Sequence, residues 1–260
     1  MATVRGESMR IALVQMRCEK GDIAGNLERM RLEIGAAVER GVDIVAFPEM
    51  SITGYIDPTR QTDAILDLTD DAVREFVAMT DGVPLTAIAG IVERNGNAKP
   101  FITQIVAVNG RIAGVYRKVT IIDEEADWFT PGDDVPIFTH QGTSFGISIC
   151  ADIDNPEVFA ASAQNDARFV LELAAPGLYG EQETRNWQSG YDWWREKCAD
   201  QLGGYAREHR YYIGAATQAG RTIDEDFPGG GYLFGPDGAT LASTEDWSEG
   251  VLDVEIPVGE

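Results

Sequence analysis

The sequence has 260 residues and a formal net charge of −22, with 43 acidic residues against 21 lysines and arginines. A surface that follows nucleic-acid phosphates needs clustered Lys and Arg, so this balance excludes nucleic acid as a partner. The longest uncharged apolar stretches are strand-sized, which predicts no membrane span, and the N-terminal MATVRGESMR lacks the apolar run of a signal peptide. We expect a cytoplasmic protein whose acidic surface serves either salt adaptation or ordinary solubility.

The chain is long enough to bury a substantial core as one α/β domain, and nothing in it resembles a linker. We predict a single domain over residues 1–260, with residues 1–8 as a short N-terminal extension. The three cysteines, Cys18, Cys150 and Cys198, are widely spaced and odd in number. This pattern favours free thiols over a disulfide framework or a CxxC metal site.

Apolar periodicity predicts a strand, a helix and a second strand at the start of the chain. The segments are 10–16 (RIALVQM), 26–40 and 42–47 (VDIVAF). The second strand runs directly into Glu49 after a proline. Because α/β folds build their sites at the carboxyl ends of strands, Glu49 is a candidate functional residue. The alternative is a solvated loop carboxylate.

Two hairpin signals follow a helix predicted at 69–80 and a strand predicted at 85–94. The turns Asn95-Gly96 and Asn109-Gly110 each separate runs of strand-like sequence, a pattern typical of tight β-hairpins. Part of the sheet must therefore be antiparallel, which predicts a mixed sheet. Lys118 lies at the end of the last of these strands.

The stretch GTSFGISICADIDNPE, residues 142–157, carries the candidate nucleophile. Phe145, Ile147 and Ile149 alternate with small residues, which predicts a buried strand that ends at Cys150. Polar residues follow at once, so the thiol is expected at the edge of a cleft. Taken alone, a cysteine in this setting is more often a small core residue.

Glu49, Lys118 and Cys150, in this order and each at a strand end, resemble the Glu-Lys-Cys triad of the nitrilase superfamily of carbon-nitrogen hydrolases. The resemblance extends over about residues 9–255. Its local matches are FPEMSITGY, YRKVTI, EADWFTPGD and ISICADIDNPE around the candidate site, followed by AREHRYYIGAATQAG and GGGYLFGPDG.

This resemblance implies an α/β fold of four layers, an α-β-β-α sandwich with a mixed sheet core, and assembly as a homodimer or higher homo-oligomer. It implies no metal and no organic cofactor. The implied site residues are Glu49, Lys118, Cys150 and Glu125 as catalytic groups, with Ala151 and Tyr55 on the substrate and oxyanion side. Since Glu124 precedes Glu125, the register of the fourth carboxylate stays open by one residue.

The implied reaction is hydrolysis of a small aliphatic amide, with a thioester on the cysteine and release of ammonia. Family members that act on nitriles typically follow the nucleophile with Trp-Glu-Asn, whereas here Ala151-Asp152-Ile153 follows, which favours the amidase side. The acidic charge balance favours neutral or cationic amides.

Departures from the family pattern leave the substrate open. Ala151 stands where many members carry an aromatic residue, and Thr217 where asparagine is frequent; the arginine often found after Pro156-Glu157 is missing. A nitrile or N-carbamoyl hydrolase of the same superfamily is therefore an alternative. Another is a non-catalytic α/β binding or assembly protein that retains the scaffold.

A group of aromatic residues lies in and before a helix predicted at 192–202. The group comprises Trp187, Tyr191, Trp193 and Trp194. These side chains either line the mouth of a pocket or form a partly buried face at the helix start or at a subunit contact.

Overall fold

The structure, a computed structural model, describes residues 8–258. The strands are β1 (Ser8–Gln15), β2 (Ile44–Ala46), β3 (Thr86–Asn95), β4 (Ala98–Val108), β5 (Arg111–Arg117), β6 (Phe138–His140), β7 (Thr143–Ile149), β8 (Phe169–Ala174), β9 (Tyr212–Thr217), β10 (Ala219–Arg221), β11 (Asp226–Pro228), β12 (Gly231–Phe234), β13 (Thr240–Ser243) and β14 (Gly250–Pro257). The helices are α1 (Ile23–Arg40), α2 (Asp71–Ala78), α3 (Glu125–Trp128), α4 (Pro156–Gln164) and α5 (Trp187–His209), and short 3-10 helices span Thr62–Ala64, Cys150–Asp154 and Gln182–Thr184. The predicted extension lies outside the described residues except for Ser8, which begins β1.

Two six-stranded sheets form the centre of the molecule, in the orders β14-β1-β2-β3-β4-β5 and β13-β12-β9-β8-β7-β6. Strands β1, β2 and β3 run parallel, as do β7, β8 and β9, while the flanking strands are antiparallel. The mixed sheet predicted from the two hairpin turns is therefore confirmed. Strands β10 and β11 form a separate two-stranded hairpin.

Successive strand side chains point to opposite faces of each sheet, so the buried apolar residues form three clusters. Ile11 and Leu13 of β1 pack between the sheets with Ile147 and Leu171 of the other sheet. The opposite faces pack on helices, α1 and α2 on the first sheet and α4 and α5 on the second. Each fully buried Leu or Ile contributes about 1.5–3 kcal/mol to folding. The four-layer α-β-β-α sandwich is confirmed.

Helix α1 begins three residues before the predicted start because its capping signal precedes the periodic run. The Asp22 side chain accepts a hydrogen bond from the N–H of Gly25 and so satisfies one of the unpaired donors of the first turn. The helix ends at Gly41, which adopts a left-handed conformation with φ 69°.

All three cysteines are free thiols, as predicted. Cys18 and Cys198 are fully buried, whereas Cys150 is partly accessible. Among the helices of residues 8–258, none is long and apolar enough to span a membrane.

Candidate active site

The ends of three strands bring the candidate triad together. Strand β4 is antiparallel to both β3 and β5, so β5 runs in the same direction as β2 and β3. Glu49 and Lys118 therefore emerge at the same edge of the first sheet, and Cys150 follows β7 in the facing sheet. Glu49 and Lys118 are fully buried.

Lys118 bridges two buried carboxylates. Its Nζ lies 3.0 Å from Oε1 of Glu49 and 2.8 Å from each carboxylate oxygen of Glu125. A buried ammonium needs such partners, because burying an unpaired ion lowers the stability of the fold by roughly several kcal/mol. Three ionisable groups thus share one enclosed site.

The second carboxylate oxygen of Glu49 is held by the backbone. Oε2 accepts a hydrogen bond of 3.0 Å from the N–H of Ala175, in the segment that follows β8. Both oxygens are therefore fixed, and the carboxylate of Glu49 has a defined orientation between the two sheets.

Burial raises the pKa of Glu49 to about 7, although the charge of Lys118 acts in the opposite direction. The charge of Glu125 raises this pKa further, and a hydrogen bond with the Cys150 side chain lowers it slightly. A carboxyl group with a pKa near neutrality can both accept and return a proton.

The other two members of the triad differ in their resting protonation. Burial alone would lower the pKa of Lys118, but the neighbouring acidic groups, first of all Glu49, outweigh it and raise this pKa above its ordinary value. Burial, together with the charge of Glu49, also raises the pKa of the Cys150 thiol. The resting site therefore holds an ammonium and a neutral thiol, and the thiol needs a base to become a nucleophile.

Cys150 occupies a sharp turn between β7 and the 3-10 helix that it begins. Its φ of 46° lies in the left-handed region, which a residue with a side chain rarely adopts. Strain of this kind is typical of functional turns that expose a nucleophile. Ala151 follows in the same turn with a buried side chain, and the N–H groups at the start of a helical turn have no partner within that turn.

Asp152 anchors this turn, although sequence reasoning assigned it no role. Its Oδ2 accepts hydrogen bonds from the N–H of Ile149 at 3.0 Å and from the hydroxyl of Tyr116 at 2.6 Å. Its Oδ1 accepts one from the N–H of Thr120 at 2.8 Å. Because Tyr116 and Thr120 flank Lys118 in the chain, Asp152 ties the nucleophile turn to the segment that carries the lysine.

The turn after Glu49 is equally tight. Met50 also has a left-handed φ, 47°, and its backbone lies against Gly90 of β3. A Cβ at position 90 would lie 2.3 Å from the Met50 nitrogen, so only glycine allows this close approach.

The structure places Glu125, not Glu124, against Lys118. Glu124 is exposed, whereas Glu125 is buried at the start of α3. The Tyr55 hydroxyl donates a hydrogen bond of 2.5 Å to Oε1 of Glu125. Tyr55 therefore contacts the site through its hydrogen bond to Glu125.

A model of the family described as carbon-nitrogen hydrolase matches residues 10–260. The chain belongs to this family. The nitrilase-superfamily resemblance drawn from the six sequence segments is thereby confirmed.

Several relatives of the chain are distant in sequence but similar over long stretches. It is 26% identical to a probable nitrilase of Schizosaccharomyces pombe, covering 96% of this chain and 89% of that protein. It is 27% identical to an (R)-stereoselective amidase of Pseudomonas sp., covering 63% and 59% of the two chains. It is also 24% identical to the glutamine-dependent NAD(+) synthetases of Thermotoga maritima and Acinetobacter baylyi. The match covers 97% of this chain but only 42% and 45% of the synthetases, so the chain spans less than half of their length.

Solved structures include amidases with the same fold. An amidase mutant of Nesterenkonia sp. AN1 with acrylamide added at its active-site cysteine is 25% identical, with a TM-score of 0.81. The superposition covers 96% of this chain and 93% of that one. The chain thus has an amidase-like fold.

Some aromatic side chains of the group at α5 lie in the core, and others lie at the surface. Tyr191 and Trp194 are buried, and Trp194 donates a hydrogen bond of 2.8 Å to the hydroxyl of Thr217, the position where asparagine was expected. Trp193 is 44% exposed and lines a groove of about 370 Å³ together with Tyr179. None of the four candidate catalytic residues lines that groove.

Proposed function

We propose that the chain hydrolyses small non-peptide amides through a thioester on Cys150. The observation that carries this proposal is the bridge from Lys118 to Glu49 and Glu125 in a buried site beside the partly accessible thiol. The amidase-like fold and the amidases among the relatives support it.

The first half of the reaction forms the acyl-enzyme. Glu49 takes the thiol proton as the Cys150 sulfur attacks the amide carbonyl carbon. The Lys118 ammonium and the Ala151 N–H hold the resulting oxyanion, and one such donor contributes about 3 kcal/mol to transition-state stabilisation. Glu49 then gives its proton to the nitrogen, the C–N bond breaks and ammonia leaves.

The second half regenerates the thiol. Glu49 accepts a proton from a water molecule as the water oxygen attacks the thioester carbon. The C–S bond breaks, the carboxylic acid leaves and the sulfur recovers a proton from Glu49. In this scheme Glu125, held by Tyr55, positions the Lys118 ammonium. Glu49 transfers each proton: the thiol proton goes to the leaving ammonia, and a water proton restores the thiol.

The pKa of Glu49 predicts how activity depends on pH. The base must be ionised, so kcat/KM should fall about tenfold per pH unit below an apparent pKa near 7. Lys118 stays protonated throughout this range, since its pKa is raised. A pH profile with an uncharged substrate measures the acidic limb. A limb near the ordinary glutamate pKa of about 4.3 would contradict the assignment of Glu49 as a buried base.

A matched substrate pair tests the reaction type. We expect faster turnover of propionamide than of propionitrile under identical conditions, because the oxyanion donors and the proton returned by Glu49 serve an amide, whereas a nitrile forms a thioimidate. Faster turnover of the nitrile would move the chain to the nitrilase side of the superfamily without affecting the triad.

Ammonia release from a panel of aliphatic, ω-dicarboxylate and carbamoyl compounds separates the remaining alternatives. Release from carbamoyl compounds alone would favour an N-carbamoyl hydrolase. A folded protein that releases ammonia from none of them would favour the binding or assembly protein. The homodimer and the cytoplasmic location stay predictions.

A further inference from the structure

The β10–β11 hairpin, residues 219–228, is attached to the backbone segment that fixes Glu49. The N–H of Gln218 donates to the carbonyl of Ala174 at 2.8 Å, and the N–H of Leu178 donates to the carbonyl of Asp226 at 2.9 Å. Ala175, the donor to Glu49, lies between these two attachment points. The hairpin therefore packs against the segment that orients Glu49.

A second contact joins the hairpin to the other carboxylate of the site. The ring of Phe227 in β11 lies 6.2 Å from the ring of Tyr55, measured between centroids, and Tyr55 donates to Glu125. Phe227 is fully buried. The buried Phe227 ring therefore packs near Tyr55 and joins the hairpin to the residue that contacts Glu125.

Glu225, the residue before β11, directs its carboxylate into this region. A Cβ at Gly177 would lie 1.9 Å from Oε1 of Glu225, so the carboxylate packs directly against the backbone of this glycine. Gly177 lies two residues beyond Ala175. Burial raises the pKa of Glu225, and the charges of Asp224 and Glu124 raise it further, whereas Lys20 lowers it.

The Lys20 ammonium contacts only one of the two carboxylate oxygens of Glu225. Its Nζ lies 3.0 Å from Oε2 of Glu225 and 2.7 Å from Asp224. Among residues 8–258 no side-chain or backbone donor forms a hydrogen bond with Oε1 of Glu225. Two carboxylates, those of Asp224 and Glu225, thus share one ammonium, so this cluster of three groups carries one unbalanced negative charge.

We propose that Glu225 determines specificity, and that the preferred substrates are small aliphatic amides with a primary ammonium group at the end opposite the amide. This inference rests on the proposed amidase function. The ammonium would donate to the open Oε1 of Glu225, while the methylene stem of the substrate would lie along the half-buried ring of Tyr55.

An isosteric pair of amides tests the proposal. In 4-aminobutanamide an ammonium replaces the terminal methyl group of pentanamide. The wild type should favour 4-aminobutanamide by about 10- to 100-fold in kcat/KM, the effect of one hydrogen bond to a charged group. Glu225→Gln should reduce this ratio by about tenfold or more, because it removes the charge and keeps the shape.

Asp224→Asn is the matched control, since it removes the same charge next to Lys20 from a side chain that is 63% exposed. Its ratio should stay close to that of the wild type. If the ratio of kcat/KM values falls equally in the two variants, the effect comes from the general negative charge of the hairpin. That result would overturn the specific role of Glu225.

Lys20→Met provides a second, independent measurement. It removes the ammonium that competes for Glu225, so the ratio should rise above the wild-type value. A ratio that falls would overturn the proposal even if Glu225→Gln failed to fold.

If the wild type hydrolyses pentanamide at least as fast as 4-aminobutanamide, the inference about Glu225 fails but the proposed amidase function stands. If it hydrolyses no amide, the proposed function fails and this inference with it.

Discussion

Cys150→Ala should abolish turnover, with a loss in kcat of about 10⁶-fold, the effect of removing a nucleophile from a catalytic triad. The fold should survive, because the lost atom is small and alanine meets the same left-handed backbone strain as cysteine. Ammonia release measures the activity, and the thermal midpoint measures the fold.

The covalent intermediate distinguishes Cys150 from the other two thiols. Intact-protein mass spectrometry of the wild type with a slow substrate should show an acyl adduct, and peptide mapping should place it on Cys150. Cys198→Ala is the matched control, because it truncates a fully buried thiol in the core. This variant should keep the ammonia-releasing activity of the wild type. An adduct on Cys18 or Cys198 would refute the assignment.

Glu125→Gln should lower kcat by about 10²–10³-fold, comparable to the loss of one oxyanion donor. The change keeps the shape of the side chain but removes the negative charge that holds the Lys118 ammonium through two contacts of 2.8 Å. Steady-state kinetics should place most of the loss in kcat, since this carboxylate acts on a catalytic group.

Glu124→Gln is the control for this variant, because it removes the same charge one residue away from an exposed side chain. We expect near-normal turnover. Loss of activity in Glu124→Gln with normal activity in Glu125→Gln would reverse the register. Normal activity in both would mean that the triad works without a fourth carboxylate.

Local sequence was sufficient for several strands and helices and for the mixed sheet, whereas the four-layer arrangement was implied only by the family resemblance. Alternating apolar residues and the Asn-Gly turns act within a few residues, so they predicted the buried strands and the mixed sheet. The start of α1 was missed because the capping bond of Asp22 depends on one side-chain contact and not on periodicity.

The sequence by itself also determined which residues carry the candidate chemistry. Glu49, Lys118 and Cys150 each follow a strand, and the segments around them resemble one family. Such motifs are contiguous in the chain, so the order of the amino acids is enough to reveal them.

Only the tertiary structure decided how these groups are held. The N–H of Ala175 fixes Glu49 from 126 residues away, and Tyr116 binds Asp152 from 36 residues away. No local pattern marks either contact, because a backbone N–H carries no sequence signal and Asp152 by itself reads as an ordinary turn residue. The open oxygen of Glu225 is likewise a product of packing, since it depends on the glycine at position 177 and on the single ammonium of Lys20. The sequence supplies the chemical groups, whereas their protonation and partners follow from the burial that the two facing sheets impose.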